Sequence, residues 1–132
     1  MSVTRIERSA YVPFSAKQMF DLVNDIKSYP LFLPGCNQAS LISQTEQEIV
    51  ASLEVSKGPV KQSFTTRNVL THAKCIEMNL VKGPFKKLHG VWHFNDLPEG
   101  NCKISLTLEF ELSGMLKFAF GGVFSQVAGS MV

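Results

Sequence analysis

The chain has 132 residues and lacks the short motifs that announce most bond-making chemistry. It holds no GxSxG elbow, no P-loop, no GxGxxG fingerprint and no HExxH pair, so no nucleophile, phosphate cradle or zinc site is announced by motif. Cysteine is scarce: Cys36, Cys75 and Cys102 are odd in number, widely spaced and free of CxxC pairing. That excludes a disulfide framework and fits reduced thiols packed as small hydrophobes in a cytoplasmic protein. Charged residues make up 18% and the net charge is +2, too mild to indicate nucleic acid from the total alone. The start, Met1 to Arg8, has no apolar signal-peptide core. The stretch Met115 to Val132 carries one charge, Lys117, but Gly121, Gly122, Ser125, Gln126, Gly129 and Ser130 dilute it below the run of about 20 apolar residues that a membrane span needs. It reads as a buried amphipathic helix.

Pairs that could carry chemistry also fall short on spacing. His89 and His93 are four apart, which joins side chains on a helix, but their surroundings read as a strand, where they stand about 13 Å apart. His72 falls in the turn Thr71 to Lys74 and reads as exposed. Glu109 and Glu111 share a strand face, but it is the polar face of an amphipathic strand, so they read as solvated carboxylates rather than an acid/base pair.

What the chain does have is apolar surface: 45% hydrophobic residues, with ten Phe against two Tyr and one Trp. Val3 to Val12 reads as a first strand ended by Pro13. Ser15 reads as an N-cap, followed by Met19, Phe20, Leu22, Val23 and Ile26 at helical spacing, with a break before Pro30. From Asn37 the period becomes two. Strands are expected around Ile49 to Val55, Val60 to Leu70, Cys75 to Val81, Leu88 to Phe94 and Ile104 to Leu112, with the turn Pro98 to Asn101 before the last. Gly114 then opens the last helix. The chain is expected to be a single α+β domain over residues 1–132, an antiparallel sheet curled around that helix with its apolar face inward.

One turn occurs twice, as Lys57-Gly58-Pro59-Val60-Lys61 and Lys82-Gly83-Pro84-Phe85-Lys86-Lys87. Two strands separate the copies, and in an up-and-down meander such turns lie at the same end. The same parity brings Leu33-Pro34-Gly35 and the entry of the last helix to that end. The expected mouth is lined by Phe32, Leu33, Pro34 and Phe85 and ringed by Lys57, Lys61, Lys82, Lys86, Lys87 and Lys117. Behind it, Phe64, Met78, Trp92, Phe94, Leu106, Leu108 and Phe110 are expected to line the concave face, closed by Phe118, Phe120 and Phe124.

The runs Tyr29-Pro30-Leu31-Phe32-Leu33-Pro34-Gly35-Cys36, Phe64 to Asn68 and Met78 to Leu88 resemble the RatA-type ribosome association toxins and the wider family of coenzyme Q-binding START-domain proteins, within the polyketide cyclase-like, Bet v 1-like superfamily. The resemblance covers essentially the whole chain. It implies a START-like helix-grip fold: a curved antiparallel sheet of about seven strands around a long C-terminal helix, with two short helices after the first strand. The family's last helix normally runs on for several turns, so this one looks truncated at Val132; a partly open cavity and a second chain covering it as a homodimer are the alternatives. The implied function is non-catalytic binding of ubiquinone or another isoprenoid quinone in support of respiration, with no required cofactor and with transient docking at the inner membrane. The alternative is binding to the large ribosomal subunit that blocks 70S formation.

Overall fold

The computed structural model describes residues 3–32, 35–57 and 60–112. Strand β1 (Thr4–Val12) is followed by helix α1 (Ala16–Asn24), a 3-10 turn (Ile26–Ser28) and helix α2 (Tyr29–Phe32). Six strands then run in sequence: β2 (Cys36–Gln44), β3 (Glu48–Lys57), β4 (Val60–Thr71), β5 (Cys75–Lys82), β6 (Phe85–Leu97) and β7 (Asn101–Leu112). They form one antiparallel sheet in the order β1-β7-β6-β5-β4-β3-β2. The meander expected from the period-two pattern is therefore present, and β1 joins it beside β7. The expected C-terminal helix lies outside the described residues.

Strand β7 shows why the sheet has two unlike faces. Cys102, Ile104, Leu106, Leu108, Phe110 and Leu112 are buried, and every residue between them is half-buried. Registration carries that apolar stripe across the strands: Ile49, Asn68, Met78, Gly90, Leu108 and Ile6 follow one another through β3, β4, β5, β6, β7 and β1. A slip of one residue would turn each of these side chains to the other face, so burial itself fixes the register.

Helix α1 starts as its sequence dictates. The Ser15 hydroxyl accepts from Gln18 N, while the Gln18 side chain accepts from Ser15 N, a reciprocal capping box. Asp96 on β6 accepts from the Ala16 N–H at 2.8 Å, tying the helix start to the sheet. Phe20 then meets Phe94 edge-on, with ring centres 5.7 Å apart. The break expected before Pro30 is present: α1 ends at Asn24, and Pro30 is the second residue of the separate short helix α2, where a helix has no use for the missing N–H. Ile26 and Tyr29 pack with Cys36, Ile49 and Ala51 into a smaller cluster beside the main core.

Gly90 is where the inner face is tightest. A Cβ at this position would lie 2.5 Å from Met78 Cε and 2.9 Å from Leu108 Cδ1. Replacing Gly90 by Val should cost about 1–3 kcal/mol through overpacking, and more than Gly90→Ala, whose single Cβ needs only the flexible ends of Met78 and Leu108 to shift. Urea unfolding of the two variants measures the difference.

Candidate functional site

The two ends of the sheet are built differently. At one end the chain passes from β3 to β4 between Lys57 and Val60, which pair across the turn, and from β5 to β6 between Lys82 and Phe85. Gly35, just before β2, accepts a backbone hydrogen bond from Ser56 at 2.9 Å, and Leu112 at the end of β7 pairs with Phe85. The segments expected to share a rim are thus at one end, as far as they are described. Phe32 closes α2, while Leu33, Pro34, Lys117, Phe118, Phe120 and Phe124 lie outside the described residues.

Behind this rim Phe85 is buried, edge-on to Phe64 at 5.5 Å and to Phe110 at 6.3 Å between ring centres. Gly83 makes the approach of the second turn possible. It sits at φ +155°, and a Cβ there would meet Phe64 Cβ at 2.7 Å. Farther along, Trp92 stacks on Phe94 with ring centres 6.1 Å apart. Phe64, Trp92, Phe94, Leu106, Leu108 and Phe110 all belong to the buried core, with Met78 packed against it half-buried.

Polar groups on the buried inner face are few. Thr66 and Asn68 follow Phe64 along β4, both buried, and the Thr66 hydroxyl donates to Asn68 Oδ1 at 2.9 Å. Neither titrates. No carboxylate, histidine or lysine is buried among the described residues. Glu109 and Glu111 lie on the outer face, as expected, but they are not merely solvated: Glu109 accepts Lys87 at 3.5 Å and Arg5 at 3.4 Å, and Glu111 lies 4.0 Å from Lys86. That divides the expected ring of lysines. Lys86 and Lys87 face carboxylates, whereas Lys61 and Lys82 are exposed with no ion pair among the described residues. Register decides this division, and a sequence read strand by strand does not contain it. Lys82 also borders an outer groove of about 480 Å³ with the hydroxyl residues Ser52, Ser63 and Thr65.

The opposite end carries an open cleft of about 920 Å³ that the sequence did not announce. Phe20, Asp21 and Asn24 of α1 face the β2–β3 turn, Gln44 to Gln47, with Leu70 and His72 beside them. His72 is exposed, as expected, and its ring meets Phe20 edge-on at 5.5 Å. His89 is not linked to His93; it pairs with Glu77 at 3.1 Å. No cluster of three metal-ligating side chains occurs among the described residues.

The thiols and one phenol share an electrostatic character. Burial pushes up Cys36; burial and then Glu77 push up Cys75; burial and then Asp96 push up Cys102. The buried Tyr29 hydroxyl donates to the Val23 carbonyl, and burial raises it, helped by Cys36 and Asp25. All four groups hold their protons more tightly folded than unfolded. Stability should therefore hold below the ordinary thiol value of 9.0 and fall as pH climbs above it. Thermal melts from pH 6 to 11 check the sign. In alkylation at pH 8, half-buried Cys75 should react first and more slowly than a free thiol, with Cys36 and Cys102 protected.

Residues 12–132 match the family described as "Polyketide cyclase / dehydrase and lipid transport". The chain is 50% identical over 129 residues to the Ribosome association toxin RatA of Vibrio cholerae serotype O1, covering 97% of this chain and 90% of that one. It is 30% identical over 139 residues to the mitochondrial Coenzyme Q-binding protein COQ10 homolog B of Xenopus laevis, covering 97% and 55% respectively. Among solved structures, a START superfamily protein from Mycobacterium smegmatis superposes with a TM-score of 0.76 at 17% identity, over 96% of this chain and 93% of that one, a likeness of fold. No helix among the described residues is long and apolar enough to cross a membrane. With the family match over nearly its whole length and RatA relatives near half identity, the chain belongs to the polyketide cyclase / dehydrase and lipid transport family, and its described residues have a START-like fold.

Proposed function

We propose that the chain is a non-catalytic binding protein for an isoprenoid quinone such as ubiquinone, held against the inner face of the sheet. The observation that carries this reading is the composition of that face: Phe64, Ile76, Trp92, Leu106, Leu108 and Phe110 form a continuous apolar surface, and its one polar pair, Thr66 and Asn68, is internally satisfied. A prenyl tail offers apolar area and little else. Burying about 300 Å² of it contributes about 7 kcal/mol before ordering costs. An acid/base enzyme on this fold would need converging titratable groups, and the buried inner face has none among the described residues. The relative named as a coenzyme Q-binding protein supports the same choice of ligand.

Lipid extraction and native mass spectrometry of protein from a quinone-producing host test the reading, with a bound ubiquinone or menaquinone expected. Leu108→Arg places an unpaired charge where Leu108 is 3% exposed and should abolish that mass while the far-ultraviolet circular dichroism is retained. Quinone retained by the folded variant counts against the proposed lining.

A second reading is association with the large ribosomal subunit. It is favoured by relatives 46–50% identical that are named as ribosome association or persistence toxins. It is also favoured by Lys61 and Lys82, rim cations without a carboxylate partner among the described residues. Phosphate contacts by these lysines would make binding fall steeply with salt. Lys61→Gln with Lys82→Gln should weaken co-sedimentation with large subunits, or docking to anionic vesicles, more than Lys86→Gln with Lys87→Gln. Equal losses from the two pairs, or none, would remove the rim from the proposal.

A further inference from the structure

We infer that Trp92 Nε1–H is the hydrogen-bond donor to a ring oxygen of the quinone, so that the head of the ligand, and not its tail alone, is buried within the sheet's concave face. This rests on the quinone-binding reading and adds to it the orientation of the ligand. Trp92 is 0% exposed, and its Nε1 meets no acceptor among the described residues. Its cross-strand neighbours, Ile76 and Leu106, have apolar side chains. Phe94 does not serve as a π acceptor either: the two rings are within 13° of parallel, so the in-plane N–H runs alongside the phenyl rather than into its face. Leaving a buried donor unmet is costly, and a single donor set in apolar surroundings is how a ligand site fixes orientation.

A pure hydrocarbon cannot answer that donor; a quinone carbonyl can. The other end of the inner face suits the tail. Phe85 stands at the rim, about 23 Å along β6 from Trp92 at the strand rise, and with Phe64 and Phe110 it offers edges of rings that have no donor or acceptor. The ligand therefore lies with its ring at Trp92 and its tail leading toward the two Lys-Gly-Pro turns.

Trp92 is the chain's only tryptophan, so a ¹⁵N-labelled sample gives one indole N–H resonance. Decylubiquinone and squalene, an isoprenoid hydrocarbon without oxygen, are compared by displacement of a fluorescent apolar probe and by that resonance. Both should bind; only decylubiquinone should move the indole proton downfield. Trp92→Phe should weaken decylubiquinone about tenfold more than it weakens squalene, the difference being the loss of one hydrogen bond. If both ligands bind but the indole proton stays in place, the ring is elsewhere and the inference fails while quinone binding stands. If neither ligand displaces the probe, both readings fail. The resonance is read on the unaltered protein, so the test survives a variant that does not fold.

Discussion

The rest of the structure depends on one constraint: a seven-stranded sheet with a continuous apolar face must keep that face out of water. Each strand alternates, so a single register places Ile49, Met78, Leu108 and Ile6 together on the inside and leaves Glu77, Glu109 and Arg5 outside. Helix α1 contributes Phe20 and Val23 to the same core, and the small cluster under Tyr29 seals the β2 edge. Once the face is built, whatever covers it is chosen for apolar area rather than for hydrogen bonds. A greasy ligand and a helix of the same chain meet that demand by the same physics.

Much of this was legible in the residues. The alternation of β7 from Cys102 to Leu112, the Ser15 cap and the shared end of the two Lys-Gly-Pro turns all follow from local rules, and each recurs in the structure. What stayed hidden depends on contacts between strands. Nothing local to Lys86 or Lys87 says that Glu111 and Glu109 will stand across from them. Nothing local to Asp96 says that it will receive the first N–H of α1, 80 positions earlier. The cleft between α1 and the β2–β3 turn is likewise a product of docking, with no motif in either segment. The helix break before Pro30 was legible; the short α2 that Pro30 joins was not, because a proline that ends one helix also suits the first turn of the next.

The family resemblance couples two activities that are hard to place on one surface, and the geometry separates them. Quinone binding would use the inner face and needs apolar area. Ribosome or membrane docking would use the rim and outer face, where Lys61 and Lys82 have no ion pair among the described residues and a hydroxyl-lined groove adjoins Lys82. The two surfaces meet at Gly83, whose backbone packs onto Phe64 on the inside while Lys82 and Pro84 border the groove outside. A ligand that shifts Phe64 or Phe85 would press on the turn that carries Lys82.

The nature of the proposed donor also bears on catalysis. An indole N–H can donate a hydrogen bond but cannot release its proton at ordinary pH, and the polar pair on β4, Thr66 and Asn68, is equally unable to exchange one. Among the described residues the buried groups that could titrate are Tyr29, Cys36 and Cys102, and burial favours the neutral form of all three. Reduction of a quinone needs protons delivered to its oxygens as electrons arrive. A site that holds one oxygen by a fixed donor, with no titrating neighbour among the buried residues described, recognises the oxidised ring without a means of supplying those protons. Under the proposed reading, such an interior would store or hand on its ligand unchanged, which is the behaviour of a carrier.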